Sequence, residues 1–563
     1  MLISFGCFLA SSYLCDVKVA RMLTLYGILA ENVRIKMTDR KYPVGIQTFS
    51  EIIRGGYLYV DKTDLVWQLK NYAKFIFMGR PRRFGKSLLT STLESYFKGE
   101  KELFEGLKIM QVEKEWKQYP VIRLDLSTAK GRDTAEELRQ SLLFALKDQF
   151  NIYGRNDEEE TPGQCLTGIM KRAYEQTGQQ VVVIVDEYDA PLLEVLHTSR
   201  QLDEMRKVMQ EFYQPLKACE AMIKFCFITG ITKFSQLSIF STLNNLTNIT
   251  MDSRFATICG ITESELTTVM KEDIKQLADV YGTTFEEMHR KLKLRYDGYH
   301  FSKDAEEVYN PFSLLKAFLQ HELSNFWFDS GTPAFLIHQL QHFKTDIMSL
   351  DHLEVYDSDF DQPTENMKDA LPLLYQSGYL TIKGYDRESQ IYTLAIPNQE
   401  VRIGYVEGLI PVYTGLLSRD VKAGFALRFW RALNSQDVEL AMREMQTFLS
   451  GIPYVEGFKQ KLADAATAEG FYEYTMYLIF SMLNMYVRTQ VKVAGGRIDM
   501  VVWMPDTIYV FEFKVSGTAS DAVAQIDEKG YAIPYQTDGR NIVKVGVKFN
   551  VDSRIPEEWI VKY

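Results

Sequence analysis

Three short stretches of this chain have residue types and spacings suited to chemistry. In GRPRRFGKS, 79–87, a Gly-Lys-Ser tripeptide follows an apolar run, 75–78, and leads into LLTSTLESYF, which has helical spacing. Strand, loop and helix in that order let backbone N–H groups at a helix N-terminus face phosphates, where the helix dipole favours negative charge. Lys86 would reach the terminal phosphates and the Ser87 hydroxyl would ligate Mg²⁺, with Arg82, Arg83, Phe84 and Gly85 completing the nucleotide-contacting loop. The usual pattern has a glycine five residues before Gly85; here that residue is Arg80.

The second stretch is QQVVVIVDEYDAPLL. Its apolar run, 181–185, is of the kind found in a central parallel strand covered on both faces, and it ends in Asp186 and Glu187. Ligands of open α/β sheets gather at the carboxyl ends of strands. Asp186 would therefore hold Mg²⁺ and Glu187 would polarise an attacking water, the alternative being an acidic strand-to-loop edge. A further buried strand is expected in IKFCFITGITKFS, 223–235, whose Thr229 is the candidate for sensing a γ-phosphate; Thr229, Thr232 and Lys233 serve equally well as turn residues. The third stretch, IYVFEFKV, alternates so that Glu512 and Lys514 fall on one strand face with Ile508 and Val510, the other face being buried. Asp499 lies thirteen residues before Glu512. Two carboxylates and a lysine so arranged suit metal-assisted attack on a phosphodiester, whereas a lone E-x-K in a strand is usually a surface ion pair.

The elements that must position these residues follow from length and pattern. At 563 residues the chain exceeds one ordinary core, and 46% apolar with 25% charged residues is ordinary for soluble globular protein. A net charge of −10 gives no global basic signature, so any nucleic-acid contact must be local. Six cysteines without C-x-x-C spacing and seven scattered histidines argue against zinc and fit a reducing cytosol. Residues 1–36 are apolar but interrupted by Asp16, Lys18 and Arg21 before membrane-spanning length. They read as a non-native or disordered extension ahead of Met37, or as an amphipathic membrane-touching segment; stable membrane insertion is not expected. A strand and turn in GGYLYVDKT leading to a helix at 64–72, a strand in YPVIRLDLS, an amphipathic helix over 133–150 and a loop at 154–163 complete the first part.

The phrases YPVGIQTFSEIIRGGYLYVDKT, RPRRFGKSLL, VVVIVDEYDAPL, ITGITKFS, CGITESEL, YDGYHF and VYNPFSLL occur in the order found in a bacterial group. Over 41–563 the chain resembles AAA-ATPase-like proteins with a C-terminal PD-(D/E)XK nuclease-like domain, in which arginine at the position of Arg80 is a group trait. The resemblance implies an α/β fold with a P-loop parallel-sheet domain at 37–260, a helical or winged-helix lid region at 261–455, and an α/β restriction-endonuclease-like domain at 456–563. Arg254 and Arg295 are further candidates to reach the nucleotide, in trans or from the lid. TLAIPNQEV reads as a short strand hairpin followed by a helix. In the C-terminal domain Asp499 and Glu512 would bind Mg²⁺ or Mn²⁺ at the scissile phosphate, and Lys514 would orient the nucleophile or stabilise charge. Glu473, in an apolar helix at 471–486, would add a ligand or hold a water; Gln525 is placed beside the metal by the resemblance, and Tyr531 packs.

The expected function is thus ATP binding and hydrolysis coupled to a metal-dependent nuclease acting on DNA, in a cytoplasmic protein whose AAA-like relatives often form rings. The alternative is a nucleotide-dependent switch whose C-terminal domain binds a partner or nucleic acid without cutting. Ten basic against twelve acidic residues over 465–563 favour that alternative, with Arg488, Lys492 and Arg497 either a small basic face or simply solvated.

Overall fold

The computed structural model describes residues 40–130, 134–193, 195, 199–233, 245–328, 340, 342–343, 350, 352–363, 367–405, 419–450, 486–493, 495–504, 506–550 and 555–563. The expectations for residues 1–36 and for Glu473 lie outside them.

Five parallel strands form the first sheet: β1 (Phe75–Gly79), β2 (Val121–Asp125), β3 (Val181–Asp186), β4 (Ile223–Gly230) and β5 (Thr247–Asn248), in the order β2-β3-β4-β1-β5. The apolar runs read from the sequence are these strands, and β1 and β3 are buried along their whole length. Alternation sends Phe75, Phe77, Val181, Val183 and Val185 to one face, against the helices Ala135–Ala145, Pro162–Thr177 and Ser199–Ala218. Ile76, Met78, Val182 and Ile184 face the other way, toward the helices Thr63–Tyr72 and Lys86–Phe97. Covering both faces explains the continuous β-branched run in β3. The expected helix over 133–150 is two, Ala135–Ala145 and Lys147–Tyr153, and no strand forms in GGYLYVDKT beyond a single bridge from Tyr57 to Lys41.

The middle region opens with helices Glu263–Val269, Lys271–Val280, Phe285–Tyr296 and Pro311–Gln320 around their own core, tied by the short pair β6 (Ile261–Thr262) and β7 (Val308–Tyr309). An antiparallel sheet, β8 (Leu353–Val355), β9 (Thr381–Asp386) and β10 (Ile391–Ala395), follows in the order β8-β10-β9 and packs on the helices Asp357–Phe360 and Leu371–Gln376 through Phe360, Tyr375, Ile382, Tyr392 and Leu394.

The C-terminal sheet runs β11 (Tyr486–Val493), β12 (Gly496–Trp503), β13 (Thr507–Lys514), β14 (Asn541–Phe549) and β15 (Pro556–Lys562) in chain order. Only β13 and β14 pair parallel, and the helix Ala519–Glu528 makes that crossover. The helices Arg419–Asn434 and Val438–Ser450 dock on this sheet: the Tyr509 hydroxyl donates to the Leu433 carbonyl at 2.7 Å, and Gln446 Nε2 to the Pro556 carbonyl at 2.9 Å. Strand β13 is covered on both faces, since Ile508 and Val510 pack in one cluster and Tyr509, Phe511 and Phe513 in another, so Glu512 lies beside a core and not on an open face.

Candidate functional site

The structure builds two separate sites. In the first, β1 ends in the 80–87 loop and the Lys86–Phe97 helix begins at Gly85, in left-handed backbone (φ +89) with no side chain capping the helix. A Cβ on Gly85 would meet nothing within 4 Å, and no side chain takes the first N–H groups of the helix, which leaves them for an anion. Lys86 is buried and its Nζ donates to the Arg80 and Pro81 carbonyls at 3.0 Å each. Burial pulls its pKa down, while Asp186, Glu187 and Asp189 push it back up. The Ser87 hydroxyl is hydrogen-bonded to Asp186, whose carboxyl burial holds above the ordinary range. Thr90 Oγ1 approaches Asp186 Oδ2 at 3.3 Å. These are the partners a cation bridging Ser87 and Asp186 would replace.

Glu187 follows Asp186 in left-handed backbone (φ +48), and its carboxylate takes the Lys130 ammonium at 2.5 Å. Phe84 is buried edge-on against Tyr299 and Phe301, so it packs the loop onto the middle region. Arg82 is exposed. Thr229 is buried with its hydroxyl donating to the Met78 carbonyl at 2.7 Å, a tie between β4 and β1. Arg254 is engaged by Asp252 and Tyr72, and Arg295 by Ser324 and Asn325.

Sequence reading missed three residues. Arg80 is 1% exposed; its guanidinium donates to the Gly79, Thr250 and Phe255 carbonyls and lies 4.3 Å from the Phe301 ring centroid. It pins the loop to the 250–255 segment, and its backbone is not among the positive-φ positions that favour glycine. Asp189 is buried, and its Oδ2 accepts from the Ile231 and Thr232 amides and the Thr232 hydroxyl. It fastens the acid-bearing turn to the end of β4, and beyond it the Lys233 ammonium reaches Asp361 Oδ2 at 2.8 Å in the middle region. Its position in DEYD was the available signal; for Lys130 there was none.

In the second site Asp499, Glu512, Lys514 and Gln525 converge from β12, β13 and the following helix. Asp499 lies within β12 and accepts the Phe513 amide at 2.8 Å. Lys514 Nζ donates to Gln525 Oε1 at 2.9 Å and to Glu512 Oε1 at 3.3 Å, and the Gln525 amide also donates to Glu512 Oε1. Glu512 is 2% exposed, and burial with the adjacent Asp499 charge pushes its pKa up to about 8. Its other oxygen, Oε2, is buried without a hydrogen-bond partner. A buried orphan carboxylate oxygen beside a second carboxylate fits a divalent cation. Among the described residues no third acidic, histidine or cysteine ligand joins them. Tyr531 is buried with its hydroxyl 3.5 Å from Gln525, Arg497 is exposed, and the side chains of Arg488 and Lys492 lie outside the described residues.

A P-loop parallel sheet followed by a mixed sheet with an acidic-lysine cluster defines a two-part class, an AAA-like ATPase domain ahead of a nuclease-like domain. Residues 43–240 match the family described as "Predicted AAA-ATPase", and 467–559 match the PD-(D/E)XK nuclease superfamily. A protein of Azotobacter chroococcum mcd 1, described as an uncharacterized protein in the vnfD 5' region, is 32% identical over 534 residues, covering 93% of this chain and 99% of its own. The chain belongs to the AAA-ATPase-like proteins with a C-terminal PD-(D/E)XK domain. Both assignments imply nucleotide and divalent-metal use. Among the described residues no helix is long and apolar enough to cross a membrane.

Proposed function

We propose that the protein is an ATP-hydrolysing motor that controls a metal-dependent nuclease acting on DNA in the cytoplasm. The observation that carries this reading is the buried, unpartnered Glu512 Oε2 beside Asp499, an oxygen that a cation would satisfy. Asp499 and Glu512 would hold Mg²⁺ or Mn²⁺, which when bound supplies an acidified water and neutralises charge at the scissile phosphate. Lys514, held by Gln525, directs its ammonium at the same point and would stabilise charge as the bridging P–O bond breaks. In the motor, Lys86 would exchange the loop carbonyls for phosphate oxygens, Ser87 and Asp186 would hold Mg²⁺, and Glu187 would polarise water. A cavity of about 100 Å³ lies beside the loop, walled by Tyr59, Val60, Leu88, Ile258, Cys259 and Leu315.

The Glu187–Lys130 pair favours a second reading, a switch that binds ATP but turns it over slowly, with a C-terminal domain that does not cut. One assay separates them: single-stranded, duplex and branched DNA with Mg²⁺ or Mn²⁺, with and without ATP, for wild type, Asp499→Ala and Lys86→Ala. Cutting that vanishes in Asp499→Ala and responds to ATP only with Lys86 present supports the first reading. Intact nucleotide binding with no cutting of any substrate supports the switch.

A further inference from the structure

The three arginines of the 80–87 loop face different ways, and one of them leaves the loop altogether. Arg83 has left-handed backbone (φ +67), a conformation that costs a non-glycine residue about 1 kcal/mol and turns its side chain out of the loop. Its guanidinium lies 4.1 Å from the centroid of the Phe312 ring and donates to the Phe326 carbonyl. Phe312 is in the first turn of the Pro311–Gln320 helix, and Phe326 opens the 3-10 turn Phe326–Phe328. One loop side chain thus grips both ends of a strap, 309–328, that belongs to the middle region. The planar fork of arginine permits stacking and donation together, which a lysine ammonium cannot reproduce.

The strap is itself firmly built. Asn310 caps its helix by accepting the Ser313 amide at 3.0 Å, and Arg295 Nη2 donates to Asn325 Oδ1 at 2.9 Å. The Trp327 amide donates to Glu400 Oε1 at 2.9 Å, and Glu400 is fully buried with both Arg83 and Arg295 in its field. The same strap contributes Pro311 and Leu315 to the cavity that also touches Gly85, Leu88 and Leu89. Phe84 and Arg80 tie the loop to Tyr299 and Phe301, and Arg83 is its side-chain link to Phe312 and Phe326 of the strap, so a change of loop shape when Lys86 leaves the Arg80 and Pro81 carbonyls has a direct path to the strap through Arg83.

We propose that Arg83 is a positioning residue that transmits occupancy of the phosphate loop to the 309–328 strap, and not a ligand of the phosphates. This inference rests on the nucleotide-binding reading above. The test uses the full chain, with ATP binding followed by calorimetry and amide hydrogen exchange followed over 309–328 with and without ATP. Arg83→Gln should bind ATP within about threefold of wild type while losing most of the ATP-dependent protection of the strap, a coupling loss of about fivefold or more. Arg83→Lys should restore little of it, and Phe312→Leu, which leaves the loop sequence intact, should weaken it in the same direction. Arg83→Gln binding ATP more than about tenfold weaker, with full strap protection once saturated, would make Arg83 a phosphate ligand and overturn the proposal. So would protection unchanged in both Arg83→Gln and Phe312→Leu. Wild type that binds ATP but shows no ATP-dependent protection of the strap sinks this inference alone. Wild type that binds no ATP sinks the nucleotide reading itself.

Discussion

The two sites differ in how their polar groups are partnered. At the phosphate loop the groups that would meet nucleotide already have partners: Lys86 has two carbonyls, Asp186 has Ser87, and Glu187 has Lys130. At the C-terminal site a buried Glu512 oxygen has none, and the neighbouring Asp499 charge opposes its ionisation. One site exchanges partners when it binds; the other acquires a missing one. On the proposed reading, nucleotide would take over contacts that the phosphate loop already makes, whereas a cation would favour the ionised form of Glu512.

The sharpest way to break this contrast is at the metal site. Asp499→Asn should bring metal-dependent cleavage to background, a loss of at least about a hundredfold, while ATP turnover in the same preparation stays at the wild-type level. Residual metal-dependent cutting would mean that Asp499 is not a ligand. Next in size, Glu187→Gln should slow ATP turnover by about 10²- to 10⁴-fold with nucleotide affinity retained. Equal loss of binding, seen by calorimetry, would instead make the Glu187–Lys130 pair part of the fold.

Gln525→Leu removes the amide that orients Lys514 and Glu512, and should weaken Mn²⁺ binding by about 10- to 100-fold without unfolding the domain. A smaller effect belongs to the strap. Burial pushes the Glu400 carboxyl up to about 7 from an ordinary 4.5. With the folded value raised, its contribution is complete below about pH 4.5 and is withdrawn as pH rises through 7, so up to about 3 kcal/mol should be lost across that window. Glu400→Gln, which keeps an acceptor for the Trp327 amide, should flatten that part of the pH–stability curve in denaturant titrations. Smallest of all, Thr229→Val should cost about 1 kcal/mol of stability and leave turnover within about twofold, because its hydroxyl serves the sheet. A large loss of turnover there would restore a phosphate-sensing role.

Local signals carried much of this architecture. The apolar runs before Gly79 and Asp186 marked two central strands, because burial on both faces leaves a continuous pattern readable from neighbours alone. The E-x-K alternation likewise located β13, although period two could not tell whether its Glu512 face was open or covered. What escaped were pairings across long separations. Nothing near Arg80 in sequence says that its guanidinium is satisfied by carbonyls at 250 and 255, and nothing near Lys130 points to Glu187. The break between Ala145 and Lys147 was hidden for the opposite reason, since amphipathic spacing continues through it while the helix does not.

The Arg80 pin has a consequence for the order in which the chain becomes a folded object during synthesis. Its guanidinium needs Thr250, Phe255 and the Phe301 ring, all beyond residue 240 where the ATPase family match ends. A nascent chain that has emerged only that far holds a complete phosphate-loop sequence and no means of burying the charge inside it. A fragment cut at 240 would lack all three of these partners, and its phosphate loop should be less ordered than that of the full chain.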